Sequence, residues 1–265
     1  MNNEQLLMGI IKGNNPEGDY TRKRFNELIN NIDMNCLDYQ IYIKEAVSHL
    51  KWHFANTIIE RLNKPELNFS IGENNESLLN FSIRNNADFP FIHKILVNKA
   101  NYYDYEEHPA FHILNKQNIN LNDEVIFNTL ISYCNNLNVY NKNGQSLLYL
   151  AFHPNSFNIK ITEVNAIKSL LTMGADINIQ NISNDKNTLL HRLNRMSTPT
   201  DNLIVLMKFI YDYNINYDIK NNSNERAERI IHNFPELKRV HDIEKEKNIL
   251  LGIDIDFKHS LKKRI

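Results

Sequence analysis

One stretch recurs through this chain and limits what it can fold into. Its clearest copy is SLLTMGADINIQN at 169–181, with weaker copies at LVNKANYYDY from Leu96, YCNNLNVYNK from Tyr133, YDYNINYDIK from Tyr211 and ERLNKPELNFS from Glu60. LINNIDMN from Leu28 and LLGIDIDF from Leu250 extend the series to both ends. Aligning one Asp or Asn in each copy gives Asp33, Asn68, Asn101, Asn138, Asp176, Asn216 and Asp254, separated by 35, 33, 37, 38, 40 and 38 residues. A unit of 33–40 residues used seven times cannot enclose a core of its own. It becomes stable by stacking on its neighbours, so the period predicts an array of small supersecondary units.

Each unit holds two short apolar segments. SLLNFSIRN (77–85) precedes FPFIHKILVNK (89–99), SLLYLAF (146–152) precedes ITEVNAIKSLLTMG (161–174), and TLLHRLNR (188–195) precedes DNLIVLMKFIYDY (201–213). The second segment of each pair places Ile, Leu, Val or Phe at i, i+3, i+4 and i+7, the pattern of a helix with one buried stripe. Ser77, Ser146 and Thr188 stand where a hydroxyl can accept from free N–H groups at a helix start. Pro90 falls where its missing donor costs little. The ends read as caps: a short helix over 4–12 and a polar turn open the chain, and the charge-rich ERAERIIHNFPELKRVHDIEKEKN (225–248) meets water at the other end.

Charge and cysteine usage exclude several classes. Thirty Lys and Arg stand against 31 Asp and Glu, giving a net charge of -1. A near-neutral chain without a long basic run offers little to a phosphate backbone, so nucleic acid is not an expected partner. The local excess at Lys258, Lys262, Lys263 and Arg264 is too short to change that. Cys36 and Cys134 cannot form a disulfide framework. No apolar run reaches the length of a membrane span, and the N-terminus lacks the pattern of a signal peptide. The expectation is a monomer without membrane insertion, either cytoplasmic or secreted into a host-cell cytoplasm by a route that reads no signal peptide. Asparagine is abundant at 44 residues and blurs helix limits, because it caps helices and tolerates the left-handed region.

These motifs resemble the ankyrin-repeat family, whose units open T-P-L-H-x-A and close L-L-x-x-G-A-D-x-N. Thr188-Leu189-Leu190-His191 matches the opening apart from the proline, and Leu170-Leu171-Thr172-Met173-Gly174-Ala175-Asp176-Ile177-Asn178 matches the closing motif throughout. Ser146-Leu147-Leu148-Tyr149-Leu150-Ala151, Ser77-Leu78-Leu79-Asn80 and Pro109-Ala110-Phe111-His112 are weaker copies. The resemblance covers about residues 5–257. It implies an all-α, ankyrin-like solenoid of stacked helix-turn-helix repeats with short hairpin loops, forming one domain over 1–265. It also implies protein binding through the concave face and hairpin tips, with His191 and His112 as structural residues tying one turn to the next. The chain departs from the family's pattern in that the proline is never at its usual place and one clear G-A-D copy occurs. The irregular, Asn- and Ile-rich repeats are also similar in style to ankyrin proteins of intracellular bacteria, notably Legionella effectors, which would make the partner a host-cell protein.

Few residues suggest chemistry. Glu45, His49 and His53 are spaced by four, as three ligands on one helix face would be. The Glu that follows the first His in zinc hydrolases is missing, and the repeat register puts a turn near 51–54, between the histidines. No nucleophile triad, dinucleotide or phosphate-loop pattern is present in the sequence. The expectation is therefore a non-enzymatic protein–protein interaction module with no catalytic, metal or cofactor site. The alternative is an enzyme or enzyme modifier with a groove site around Glu45, His49 and His53. For binding, Tyr103, Tyr105, Tyr140 and Tyr217 lie just past second helices, where hairpins project, and tyrosine supplies rigid contact area. The long connections His153–Ile161 and Arg195–Asp201 lie between the helices of their units and should emerge on a common edge.

Overall fold

The computed structural model describes residues 2–13, 18–33, 38–63, 65–72, 75–98, 108–116, 120–152, 159–182, 185–193, 200–210, 213 and 215–226. Contacts divide the chain into two units, Met1–Leu130 and Ile131–Ile265.

The first unit contains four helix pairs: α1 (Asn3–Lys12) with α2 (Asp19–Ile29), α3 (Tyr39–Ser48) with α4 (Trp52–Glu60), α5 (Leu78–Arg84) with α6 (Phe89–Val97), and α7 (Ala110–Leu114) with α8 (Leu121–Ser132). The division falls near the end of α8. First helices pack on first helices, α1 on α3 and α5 on α7, while second helices form their own row, α2 on α4 and α4 on α6. The second unit continues the scheme with α9 (Leu147–Leu150) and α10 (Ile161–Thr172), then α11 (Leu189–Leu193) and α12 (Asp201–Ile210); α9 packs on α11 and α10 on α12. The fold is all-α, helix-turn-helix repeats in two layers.

The second helices form where the periodicity puts them. α12 buries Leu203, Leu206, Met207 and Ile210, and α10 buries Val164, Ile167, Leu170 and Leu171. Each such side chain contributes about 1.5–3 kcal/mol by leaving water, and in the first unit the Phe25 and Phe54 rings stack at 4.1 Å. The helix starts are capped as the sequence indicates: Ser77 Oγ accepts from the Asn80 N–H at 3.2 Å, Ser146 Oγ from the Tyr149 N–H at 3.2 Å, and Thr188 Oγ1 from the His191 N–H at 3.4 Å. Asp88 caps α6 by accepting from the Phe91 N–H at 3.1 Å, which leaves Pro90 in the first turn.

Among the described residues, sheet structure is one two-residue pair, β1 (Ser70–Ile71) antiparallel to β2 (Glu76–Ser77). Single bridges, Tyr140 to Ser146 and Lys220 to Arg226, mark two hairpins of the second unit. The short hairpin loops are therefore β-turns with minimal ladders.

Candidate interaction surface

Three hairpins of the second unit repeat at a spacing of 40 residues. Asn136 Oδ1 accepts from the Asn138 N–H at 2.9 Å, Asp176 Oδ1 from the Asn178 N–H at 2.9 Å, and Asn216 Oδ1 from the Asp218 N–H at 3.0 Å. The second member of each Asx turn then reaches the next hairpin. Asn138 Oδ1 accepts from the Asp176 N–H at 2.8 Å, and Asn178 Oδ1 from the Asn216 N–H at 2.7 Å. These bonds equate Asn136, Asp176 and Asn216. The spacing-based series, which aligned Asn138 with Asp176, is two residues off at that member.

Five residues after each of these lies Asn141, Asn181 and Asn221, all buried. Asn141 Oδ1 accepts from the Asn143 and Gln145 N–H groups at 3.0 and 2.9 Å, and Asn221 Oδ1 from the Glu225 N–H at 2.9 Å. Asn221 Nδ2 also donates to Asn187 Oδ1 at 3.0 Å, linking consecutive hairpins. The Asn141 and Asn221 hairpins close alike, each Asn N–H donating to the carbonyl four residues on at 2.9 and 3.0 Å, whereas the Asn181 N–H donates to Asn187 O at 3.1 Å, a hairpin two residues longer. Tyr140, Gln180 and Lys220 each precede the buried Asn. Gln180 Nε2 donates to both Lys186 O at 2.8 Å and Lys220 O at 3.0 Å, bridging two hairpins.

This register separates two of the four expected contact tyrosines. Tyr140 shares its position with Gln180 and Lys220, whereas Tyr217 shares its position with the buried Leu137 and Ile177. The two are therefore not analogous, contrary to the expectation from sequence; both are half-buried. Tyr103 and Tyr105 lie outside the described residues, as do 153–158 and 195–199 of the long connections. Asn202, in the first turn of α12, donates from Nδ2 to Ile159 O at 2.9 Å.

Glu45, His49 and His53 do not form one face. α3 stops at Ser48, His49 is its C-cap, and Leu50 takes a left-handed φ of 56° before α4 begins at Trp52. The turn thus lies at 49–51, slightly earlier than the spacing suggests, and His53 sits on the other helix. His49 Nδ1 lies 2.9 Å from Glu45 O, and Glu45 pairs with Lys12 at 3.3 Å. Among the described residues, no group of three or more His, Cys, Asp or Glu could hold a metal ion.

Three buried polar residues carry structure that the sequence did not advertise. Lys51, 6% exposed, donates from Nζ to Ile10 O at 2.8 Å and Gly13 O at 2.5 Å, a cation on the C-terminal carbonyls of α1. Arg192, 4% exposed, donates to Tyr149 O at 2.6 Å and lies 4.0 Å from the centroid of that ring. Tyr149 in turn donates its hydroxyl to Asp185 at 2.9 Å. A Lys or Arg on an apolar segment was the available signal, but its partners lie 38–43 residues away in sequence.

Known structures share this arrangement. The ankyrin repeat domain of Bcl-3, a unique member of the IkappaB protein family, aligns over 91% of this chain and 97% of its own at 16% identity, with a TM-score of 0.56. The fold is that of ankyrin repeats. The ankyrin repeat protein EF0377 matches 77% of this chain and 96% of its own at 16% identity, with a TM-score of 0.56. The human ASB11 ankyrin repeat domain matches 85% of this chain and 88% of its own at 15% identity, with a TM-score of 0.50. No family model and no curated sequence matches the protein. Among the described residues, no helix is long and apolar enough to cross a membrane.

Proposed function

We propose that this protein is a non-enzymatic protein-binding module. It would work through its hairpin tips and the adjoining concave face, in one array of about seven units over 1–265. The observation that carries this reading is the hydrogen-bond ladder between successive hairpins of the second unit, with Tyr140, Gln180 and Lys220 at one repeated position beside it. Asn-mediated bonds hold successive hairpins in fixed register, so Tyr140, Gln180 and Lys220 are presented without a large ordering cost on binding. Tyr103, Tyr105, Tyr140 and Tyr217 are the proposed contact residues, since interface energy concentrates in a few buried aromatic anchors.

The test begins with a partner captured from lysate and measures its affinity for single Tyr→Ala variants that melt as the wild type does. A true anchor should cost more than about 2 kcal/mol, or roughly thirtyfold in affinity. Retention by all four of affinity within about twofold removes the hairpin tips as the interface. A finer reading, a bacterial effector that meets a host-cell protein after export without a signal peptide, rests on repeat style alone. Detection of the tagged protein in the host cytoplasm during infection tests it.

A further inference from the structure

We propose that Asn143 is a site of spontaneous, non-enzymatic deamidation, and that opening of the hairpin turn it occupies sets the rate. The proposal does not depend on the binding function. Of 44 asparagines, Asn143 is the one followed by glycine. The reaction begins with attack of the next residue's backbone nitrogen on the asparagine Cγ. A glycine has no Cβ to crowd that approach, and its backbone turns most freely into the required conformation. Asn143 is also exposed, so water and base reach it.

The chemistry needs only water. The Gly144 nitrogen loses its proton and bonds to Asn143 Cγ, the bond from Cγ to Nδ2 breaks, and ammonia leaves. The resulting five-membered imide takes up one water. Opening at Cγ yields an ordinary aspartate at position 143, and opening at the backbone carbonyl yields isoaspartate. Both products carry a new carboxylate, and the second also routes the backbone through an extra methylene.

The native turn ties up the attacking nitrogen. The Gly144 N–H donates to Asn141 O at 2.8 Å, closing a β-turn over 141–144. The Asn143 N–H is held by Asn141 Oδ1 at 3.0 Å, and the Asn141 N–H donates to Gln145 O at 2.9 Å. Gly144 sits at φ 69°, a left-handed conformation that suits glycine. Attack therefore requires release of the Gly144 N–H, which is a local opening of this hairpin. The isoaspartyl product would displace Gly144 O, which accepts from the Ile182 N–H of the next hairpin at 2.8 Å. Deamidation would thus untie one of the links between consecutive repeats.

The test incubates the purified full-length protein in mildly alkaline buffer and follows each asparagine by peptide mapping with isoaspartate detection. Conversion should be fastest at position 143. It should run at least about tenfold faster in unfolding urea, equivalent to an opening free energy of about 1.4 kcal/mol or more. Asn143→Ser should abolish the early unit mass increase. Asn141→Ala, which removes the acceptor for the Asn143 and Gln145 N–H groups, should accelerate conversion under native conditions. If that variant does not fold, the wild-type rate against sub-denaturing urea replaces it: a rising rate supports gating and a flat one overturns it. Equal rates in native and unfolded protein also overturn gating. Slower conversion at Asn143 than at other asparagines in urea overturns the site itself.

Discussion

His191 and the backbone of Glu225 are joined across 34 residues: the ring Nε2–H donates to the Glu225 carbonyl at 3.0 Å. On the other side of the ring, Nδ1 accepts from the Thr188 N–H at 3.2 Å and lies 2.8 Å from Thr188 Oγ1, which fixes the tautomer. The imidazole thus fastens the start of α11 to the following hairpin. His191→Ala should destabilise the protein by about 1–2 kcal/mol, since it leaves buried groups unpaired. Denaturant melts would show this. Partner affinity, measured on folded protein at low temperature, should stay at the wild-type level; lost binding with unchanged stability would assign His191 to the interface instead.

The asparagine ladder makes a local prediction. Asn138→Ala removes the acceptor of the Asp176 N–H and should cost about 1 kcal/mol. Hydrogen exchange at the Asp176 amide should accelerate by more than exchange at Leu170 and Leu171, whose amides lie within α10. A uniform acceleration would show that the bond does not set local stability.

Lys51 offers a sharper loss. Lys51→Met keeps the stem and removes the ammonium that binds Ile10 O and Gly13 O. The expected cost is about 1–3 kcal/mol, from leaving carbonyls of α1 without their cation. Exchange protection of α1 should fall first. An unchanged melting curve would mean that water replaces the ammonium without loss.

His108 gives the fold a pH dependence. Burial lowers its pKa from 6.5 to about 4, and its Nδ1 accepts from the Ala110 N–H at 3.2 Å at the start of α7. Because the folded pKa is the lower one, the unfolded state takes up this proton first as pH falls. Stability tied to His108 is complete above about 6.5, declines between 6.5 and about 4, and is level below that. The full loss is roughly 3 kcal/mol. His108→Leu should flatten the stability curve across that window; a parallel curve would place the titration elsewhere.

The turn at His49–Lys51 predicts that Glu45, His49 and His53 bind no stoichiometric zinc. Elemental analysis of protein purified without chelator checks this. One tight equivalent, lost in a His49→Ala/His53→Ala double variant, would restore the groove-site alternative.

Much of this was legible in the sequence because repeat stacking writes itself at short range. The i, i+3, i+4, i+7 stripe of Leu203, Leu206, Met207 and Ile210 marks a helix with one buried face, and Ser77, Ser146 and Thr188 mark helix starts. Those signals need only neighbouring residues, so they located three of the six helix pairs among the described residues, those within 77–99, 146–174 and 188–213. The T-L-L-H match at 188–191 likewise carried the structural role of His191, although not its partner at Glu225.

Register between hairpins was decided by tertiary structure alone. Asn136 and Asn138 are chemically identical and two residues apart, so spacing could not tell which one corresponds to Asp176. The choice is made by hydrogen bonds 38 residues long in sequence, in which Asn138 serves the next hairpin and Asn136 its own turn. Tyr140 and Tyr217 part for the same reason: both follow a second helix, but the fold sets one beside a buried Asn and the other where Leu137 and Ile177 are buried. Lys51 and Arg192 show the remaining limit. Sequence determined that a charge falls on an apolar segment; only the approach of Ile10, Gly13 and Tyr149 in three dimensions gave that charge carbonyls to bind, and so made its burial tolerable.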